Sequence, residues 1–286
     1  MEIARPDKPM WPEAGITKQL YADYLSTVSP HMLPWVRHRP MTLVRAPDGV
    51  KGQRYFQKDT PAYAPEWIHT VTIPAPSAGR DVRYLVCDDT RTLSWLANQA
   101  ALELHIAPAR VDRLDRPDFL TFDIDPPEGA FEAAVEGAIL LLEVLEELGL
   151  PFGVKTTGGK GLHIVAPVER RVTHEELRTA ALTIAQIAID RRPDLLTSAF
   201  RKAERGDRVM IDPSRNGSGA TIVAPYSARV GPLARVSFPV DPDALAAVDP
   251  GRFTVATVRP LLDGRASAAW RALARTRSRI PARLYR

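Results

Sequence analysis

Apolar positions along the chain switch repeatedly between the three-or-four spacing of a helix and the alternation of a strand, with no regular strand–helix repeat. Thr17 reads as an N-cap opening a helix from Lys18 to about Thr27, and Leu33–Pro40 reads as a loop. Two strands, Met41–Arg45 and Gln53–Lys58, flank the turn Ala46-Pro47-Asp48-Gly49. A hairpin follows at His69–Ile73 and Val82–Cys87, joined through Pro74–Arg80, and the pattern then predicts a helix from Thr90 to about Leu104, ending just before His105. Phe119–Phe122 is an apolar strand. Phe131–Leu148 is an apolar helix with a Glu-rich face and Gly149 as its stop. Strands at Phe152–Lys155 and Leu162–Ala166 enclose a glycine-rich turn, and Thr173-His174-Glu175-Glu176 is a capping box for a helix to about Asp190. Further strands are expected at Arg208–Asp212 and Ala220–Pro225, and beyond Asp241 the chain is helical in short pieces broken by Pro250 and Pro260. This mixture predicts an α+β fold with largely antiparallel sheets, not a doubly wound one.

Polar residues inside apolar stretches carry the chemistry. Asp123 and Asp125 follow the strand residues Phe119–Phe122, and Pro126-Pro127 ends the strand at once. Residues two apart share one face, about 6–7 Å apart along the strand, a spacing that suits a pair of divalent cations. The plain alternative is a pair of turn-capping aspartates before Pro-Pro. Asp212 closes another strand and supplies a third acid, although Asp-Pro also starts turns.

The turn Lys155-Thr156-Thr157-Gly158-Gly159-Lys160-Gly161-Leu162-His163 is rich in glycine, so its backbone can approach a ligand closely. With Gly158 in that backbone, Thr157 offers a hydroxyl, Lys160 a point charge and His163 a ring able to donate to an oxyanion, a set suited to a triphosphate. It is not a Walker A loop, because Gly follows the lysine and a strand follows the turn. A plain hairpin turn with a core-facing histidine is the alternative. Downstream, Arg215 and Arg229 are candidate phosphate clamps, with ordinary surface arginine as the other reading.

Composition adds constraints of class. The 286 residues are 45% hydrophobic and 25% charged, ordinary globular values. A single cysteine, Cys87, excludes a disulfide framework or a Cys-based zinc site and fits a reducing cytosol. No apolar run approaches the roughly 20 residues of a membrane span, and no signal peptide is recognisable, so a soluble intracellular protein is expected. The net charge of +4 is uneven: Gly251–Arg286 holds nine arginines against one acid, Asp263, and Arg191–Arg235 holds nine basic residues against four acids. Such clustering suits a polyanionic partner. Arginines spread over solvated helix faces would give the same count.

Taken together and in order, these motifs resemble the archaeo-eukaryotic primase superfamily, and most closely the polymerase domain of bacterial ligase D. Asp-Ile-Asp-Pro-Pro resembles the family's first metal motif, Thr-Gly-Gly-Lys-Gly-Leu-His its nucleotide-binding motif, and Asp212 its third acid. The resemblance implies a single primase-polymerase domain over 1–286, with largely antiparallel sheets flanked by helices and an RRM-like catalytic palm. Residues 1–115 would bind DNA and its 5′-phosphate, 116–240 would form the palm, and 241–286 an Arg-rich helical part. It further implies a 5′-phosphate pocket from Arg5, Lys8 and Lys18, template stacking by Tyr55 and Phe56, and nucleotide contact by His105, Thr157, Gly158, Lys160, His163, Arg215 and Arg229. For Lys18 a capped helix N-terminus adds independent support. Alternating apolar strand residues are ordinarily core, but adjacent aromatics such as Tyr55-Phe56 point to opposite faces, which leaves room for one of the rings to be exposed to bases. The family commonly has Asn where this chain has Arg5, and Ser where it has Thr157.

The activity implied is template-dependent nucleotidyl transfer onto a DNA 3′-hydroxyl, filling short gaps at breaks in non-homologous end joining or gap repair. It would use two divalent ions per site, manganese in preference to magnesium, on Asp123, Asp125 and Asp212, with ribo- or deoxyribonucleoside triphosphates as substrate. Gapped or broken DNA ends with a 5′-phosphate are the implied partner, with Ku and a DNA ligase as candidate protein partners, for a bacterial, nucleoid-associated monomer. Two rivals remain on the residues alone. A metal-dependent nuclease or phosphodiesterase would use the same acids without a triphosphate cradle, and a non-catalytic end-binding module would need neither.

Overall fold

The computed structural model describes residues 2–75 and 79–286. Of the expected hairpin link Pro74–Arg80, the residues Pro76, Ser77 and Ala78 lie outside the described residues. The chain forms two compact units, one made of 1–112, 222–237 and 251–262, the other of 113–221, 238–250 and 263–286.

The first unit begins with a small antiparallel ladder of Pro9–Trp11 (β1) and Ile16–Thr17 (β2), followed by the helix Lys18–Val36 (α1). Thr17 caps α1 as expected, accepting a bond from the Leu20 amide. The helix does not stop near Thr27, and Leu33–Val36 is not loop. It runs through Pro30 and Pro34, which local propensity disfavours. Pro30 cannot donate to the Ser26 carbonyl, and the Ser29 hydroxyl does so instead at 2.9 Å. Burial supplies the rest: Tyr21, Leu25, Val28, Met32 and Val36 are all fully buried, and each such side chain contributes roughly 1.5–3 kcal/mol.

Strands Pro40–Arg45 (β3), Tyr55–Gln57 (β4), Thr70–Ala75 (β5) and Arg80–Val86 (β6) follow, then the helix Thr90–Asn98 (α2), capped by Asp89. The expected helix to Leu104 is corrected here. Ala100 adopts φ +53°, ending the helical path, and Ala101–Ile106 forms a strand (β7) paired to β3. Leu102, Leu104 and Ile106 are fully buried in that pairing, so tertiary burial outweighs the helical preference of the segment.

The second unit contains Phe119–Asp125 (β8), Phe131–Glu147 (α3), Gly153–Thr156 (β9), Leu162–Pro167 (β10), His174–Arg191 (α4), Leu196–Thr197 (β11), Lys202–Arg205 (α5) and Val209–Asp212 (β12). Ile222–Val223 (β13) then joins the first unit, and Pro239–Val240 (β14) and the helix Arg265–Leu273 (α6) complete the second. Local signals set several boundaries. The capping box of Thr173 and Glu176 is formed in full, and Gly149, at φ +66°, follows α3.

Among the described residues each unit is built on one six-stranded sheet, the first unit carrying the small β1–β2 ladder besides. The order is β13-β7-β3-β6-β5 in the first unit, with β4 on the edge of β3, and β11-β12-β8-β10-β9-β14 in the second. Among the described strands the pairings are antiparallel except that of β11 with β12. The fold is α+β. In the second unit α3 and α4 cover one face of the sheet, where Leu120, Phe122 and Ile124 of β8 meet Ala134, Leu141, Leu145, Leu177 and Ile184 in a fully buried core. Among the described residues of 241–286 the expected short helical pieces are α6 and several single 3-10 turns, and Trp270 of α6 packs where a Cβ on Gly153 would lie 2.5 Å from its ring.

Candidate active site

Alternation along β8 sends Leu120, Phe122 and Ile124 into the core and Asp123 and Asp125 to the opposite face. Asp123 sits on a central strand, directly paired with Asp212 of β12 on one side and His163 of β10 on the other. His163 is in turn paired with Lys155 of β9. Directly opposed residues share a face, so Asp212, Asp123, His163 and Lys155 form one polar row across four neighbouring strands. Asp125 stands two residues further along.

The row is internally connected. The buried Lys155 ammonium lies 2.8 Å from Nδ1 of His163. Lysine can only donate, so Nδ1 accepts and Nε2 carries the proton toward Asp123, whose Oδ1 is 3.4 Å away. Burial alone would raise the Asp123 pKa. The electrostatic attraction and hydrogen bond of the His163 Nε2–H, with Arg215 and Lys155 behind them, outweigh it and hold the carboxyl at about 2.

Arg215 lies 3.5 Å from Asp123 and 3.7 Å from Asp212. Its placement comes from the next residue. Asn216 is fully buried and pins the turn to β8, accepting from the Thr121 amide at 2.8 Å and donating to the Thr121 and Pro213 carbonyls, both at 2.7 Å. Asp125 meets two cations, Lys160 at 3.0 Å and Arg205 at 2.9 Å.

The glycine-rich turn is tied to the same strand. A Cβ on Gly161 would stand 2.1 Å from the Ile124 carbonyl, so no other residue fits there, and Gly158 uses φ +70°. Thr157 closes the turn, its hydroxyl accepting from the Gly159 and Gly161 amides and donating to the Gly161 carbonyl. The second unit thus brings together Asp123, Asp125, Asp212, Lys160, His163 and Arg215, with Thr157 and Gly158 in the adjoining turn.

His105 and Arg229 belong to the first unit, where Glu103 joins them. Its carboxylate is 3.0 Å from His105 and 3.0 Å from Arg229, and accepts the Val230 amide at 2.9 Å. Burial would raise the Glu103 pKa, but these partners hold it at about 2. Phe56 and Tyr55 are both exposed, at 64% and 47%, and Phe56 approaches the His105 ring at 6.3 Å between centroids. They line an open groove of about 710 Å³ with Arg45, Lys58 and Arg80.

Arg5, Lys8 and Lys18 also lie in this unit. Lys18 is buried; burial and the charges of Lys8 and Arg5 lower its pKa. Its ammonium donates to the Ala4 carbonyl at 2.8 Å and to Asn98 at 2.9 Å, and Lys8 pairs with Asp48 at 2.8 Å. The helix-terminus support expected for this pocket changes form. The amides of Lys18 and Gln19 donate to the carbonyls of Lys8 and Pro6, and that of Leu20 to Thr17, so anion attraction here rests on side-chain charge.

Three participants carry no sequence signal that singles them out. The helical pattern to Leu104 hides Glu103; on a strand, its i, i+2 relation to His105 puts both on one face. Lys155 appeared only as a strand residue beside the turn. Arg205 comes from the end of the short helix α5, 80 residues from Asp125, and carries no local signal.

The model of the family described as "LigD, primase-polymerase domain" matches residues 17–270. The chain belongs to the LigD primase-polymerase family. Members of the LigD family are DNA-directed nucleotidyltransferases. A bifunctional non-homologous end joining protein LigD of Bacillus subtilis is 31% identical over 261 residues, which is 90% of this chain and 42% of that protein. A multifunctional LigD of Pseudomonas aeruginosa is 30% identical over 289 residues, all of this chain and 34% of that protein. The chain therefore spans less than half the length of these LigD relatives. Among solved structures, the polymerase domain of Mycobacterium tuberculosis ligase D in complex with DNA is similar at TM-score 0.86 and 30% identity, covering 94% of this chain and 98% of that one.

LigD-type polymerase chemistry implies a divalent metal and a nucleotide substrate. Among the described residues no three His, Cys, Asp or Glu side chains converge as around a single ion. The donor chemistry nevertheless fits: three carboxylates on adjacent strands, two of them directly opposed, are hard oxygen ligands. Lys160, Arg205, Arg215 and His163 offset that negative charge in this arrangement, and ligation would exchange some of those contacts for metal.

Proposed function

We propose that this chain extends DNA 3′-hydroxyls by template-directed nucleotidyl transfer, filling short gaps at broken ends in end joining or gap repair. The observation carrying this reading is the row Asp212, Asp123, His163, Lys155 beside the glycine-rich turn. A nuclease would need the acids alone, whereas here a cation-bearing, backbone-lined turn is built against the acid strand itself.

Asp123, Asp125 and Asp212 would hold two divalent ions, manganese preferred over magnesium, which when bound lower the pKa of the attacking hydroxyl and neutralise the leaving phosphates. The chain's own residues do the rest. The amides of Gly158 and Lys160 and the Lys160 ammonium bind the triphosphate, and Thr157, which takes the Gly159 and Gly161 amides, fixes the shape of that turn. His163 presents Nε2–H to an anionic oxygen, its proton kept there by Lys155. His105, Arg215 and Arg229 add donors and positive charge for the nucleotide, and Glu103 orients two of them. The bond from the 3′-oxygen to the α-phosphorus forms, the bond from that phosphorus to the β-bridging oxygen breaks, pyrophosphate leaves with the electron pair, and the hydroxyl proton passes to water.

Arg5, Lys8 and Lys18 would receive the 5′-phosphate across the gap, and Tyr55 and Phe56 would stack on template bases. The names of the relatives and the DNA complex of the similar domain support broken DNA as partner. Ku and a ligase are the proposed protein partners, and ribonucleotides are proposed substrates beside deoxyribonucleotides. An extension assay on gapped, 5′-phosphorylated DNA with each nucleotide type and each ion tests the reading. Lengthening that needs template, nucleotide and metal is expected; shortening of the primer, or no change, overturns it.

A further inference from the structure

Beyond Asp125, on the side away from Asp123 along β8, the second unit holds a small recess of about 190 Å³. Asp125, Glu128, Lys160, Lys202, Arg205 and Arg208 line it, four cations against two carboxylates. Lys160 and Arg205 are spent on Asp125. Arg208 and Lys202 are not matched in this way. Arg208 donates only to the backbone carbonyls of Arg205 and Glu204, at 2.9 and 2.8 Å, and Lys202 makes no hydrogen bond or ion pair among the described residues. Arg208 and Lys202 thus face the recess without an ion pair, against the one remaining carboxylate of Glu128, and the net positive charge there favours an entering anion.

We propose that this recess is a subsite for inorganic pyrophosphate, the product released by nucleotidyl transfer. The inference rests on the polymerase reading for its ligand, and on the recess alone for its anion chemistry. Lys160 belongs both to the glycine-rich turn and to the recess wall, its ammonium 2.6 Å from the Pro126 carbonyl and 3.0 Å from Asp125. A group leaving the turn therefore passes from one set of donors to the next without losing Lys160. The volume suits two linked phosphoryl groups and is too small for a run of nucleotides. Arg208 is fixed by its two carbonyl contacts and supplies a planar donor pair, while the exposed Lys202 supplies a movable point charge at the mouth.

The test is calorimetric titration of pyrophosphate, and separately of inorganic phosphate and a single-stranded oligonucleotide, into the full chain in metal-free buffer. Wild type is compared with Lys202→Gln, Arg208→Gln and Arg208→Lys. Pyrophosphate should bind wild type at one site, more tightly than phosphate, and the two glutamine variants should each weaken it by about threefold to tenfold. Arg208→Lys should retain most of the affinity, which separates loss of charge from loss of fold. In extension assays the inhibition constant for pyrophosphate should rise by the same factor in the glutamine variants, with the nucleotide KM moving less than twofold. Unchanged pyrophosphate affinity in those variants overturns the proposal. So does a parallel rise in KM, which would return both residues to the nucleotide site, or a loss of oligonucleotide binding with pyrophosphate unaffected. Variant-sensitive pyrophosphate binding in a chain that never extends a primer would instead sink the polymerase reading and leave the anion site standing.

Discussion

Asp212 stands directly opposite Asp123 across the β8–β12 pairing, and one guanidinium, that of Arg215, lies within 3.7 Å of both. Like charges opposed on neighbouring strands destabilise a sheet, so this pair persists because cations surround it. Asp123→Asn keeps the shape, removes one ligand charge and should lower extension by roughly a thousandfold or more. DNA affinity, read by fluorescence anisotropy, should be unchanged or slightly higher. Residual synthesis near the wild-type rate would end the assignment of this acid to the metal site.

Lys18 is a buried cation whose pKa is lowered by burial and by its neighbours Lys8 and Arg5. A group already crowded by like charge gains from a doubly charged anion. Lys18→Ala should therefore reduce the preference for a 5′-phosphorylated over a 5′-hydroxyl gap by about tenfold, measured as a ratio of dissociation constants. If the intact protein binds both gaps equally, the phosphate pocket is misplaced.

Tyr55 and Phe56 are exposed, so truncating them should cost the folded state little. Phe56→Ala should weaken binding to single-stranded template by about 1–3 kcal/mol, the usual worth of one stacked base, while the melting temperature stays within a degree or two of wild type. A fall in stability with no change in template affinity would mark the ring as a packing residue.

Glu103 titrates at about 2 in the fold, against an ordinary value of 4.5. Its ionised form is thus favoured by folding, so the stability it brings is fully present above pH 4.5 and drains away as pH falls toward 2. The size is on the order of 3 kcal/mol. Glu103→Gln should be less stable than wild type at pH 7 in urea titrations, and the gap between the two should narrow steadily below pH 4.5. A gap independent of pH would show that the carboxylate's charge contributes nothing.

Much of the second unit was legible because its signals are local. Pro126-Pro127 ends the acid strand, Gly149 follows α3, and Thr173 with Glu176 announces α4 within four residues. The misreadings share a different cause. α1 continues past Pro30 because Ser29 replaces the missing donor and a buried face rewards continuation. At Ala100 the chain turns through a left-handed conformation without the glycine that usually signals it. β11 and β14 are two residues long and exist only through their neighbours. Arg205 reaches Asp125 from the distant helix α5, a relation that no spacing rule encodes.

The close approach of Gly161 to the Ile124 carbonyl bears on how this chain can be altered. The turn is not an appendage that can be exchanged as a cassette, since its last residue is welded by contact to the strand that carries the acids. Changes at 157–160 alter what the turn offers a substrate while that anchor holds. A library that varies 161 as well would lose the register of both strands at once, and variants selected for a new nucleotide preference should emerge with glycine retained at this one position.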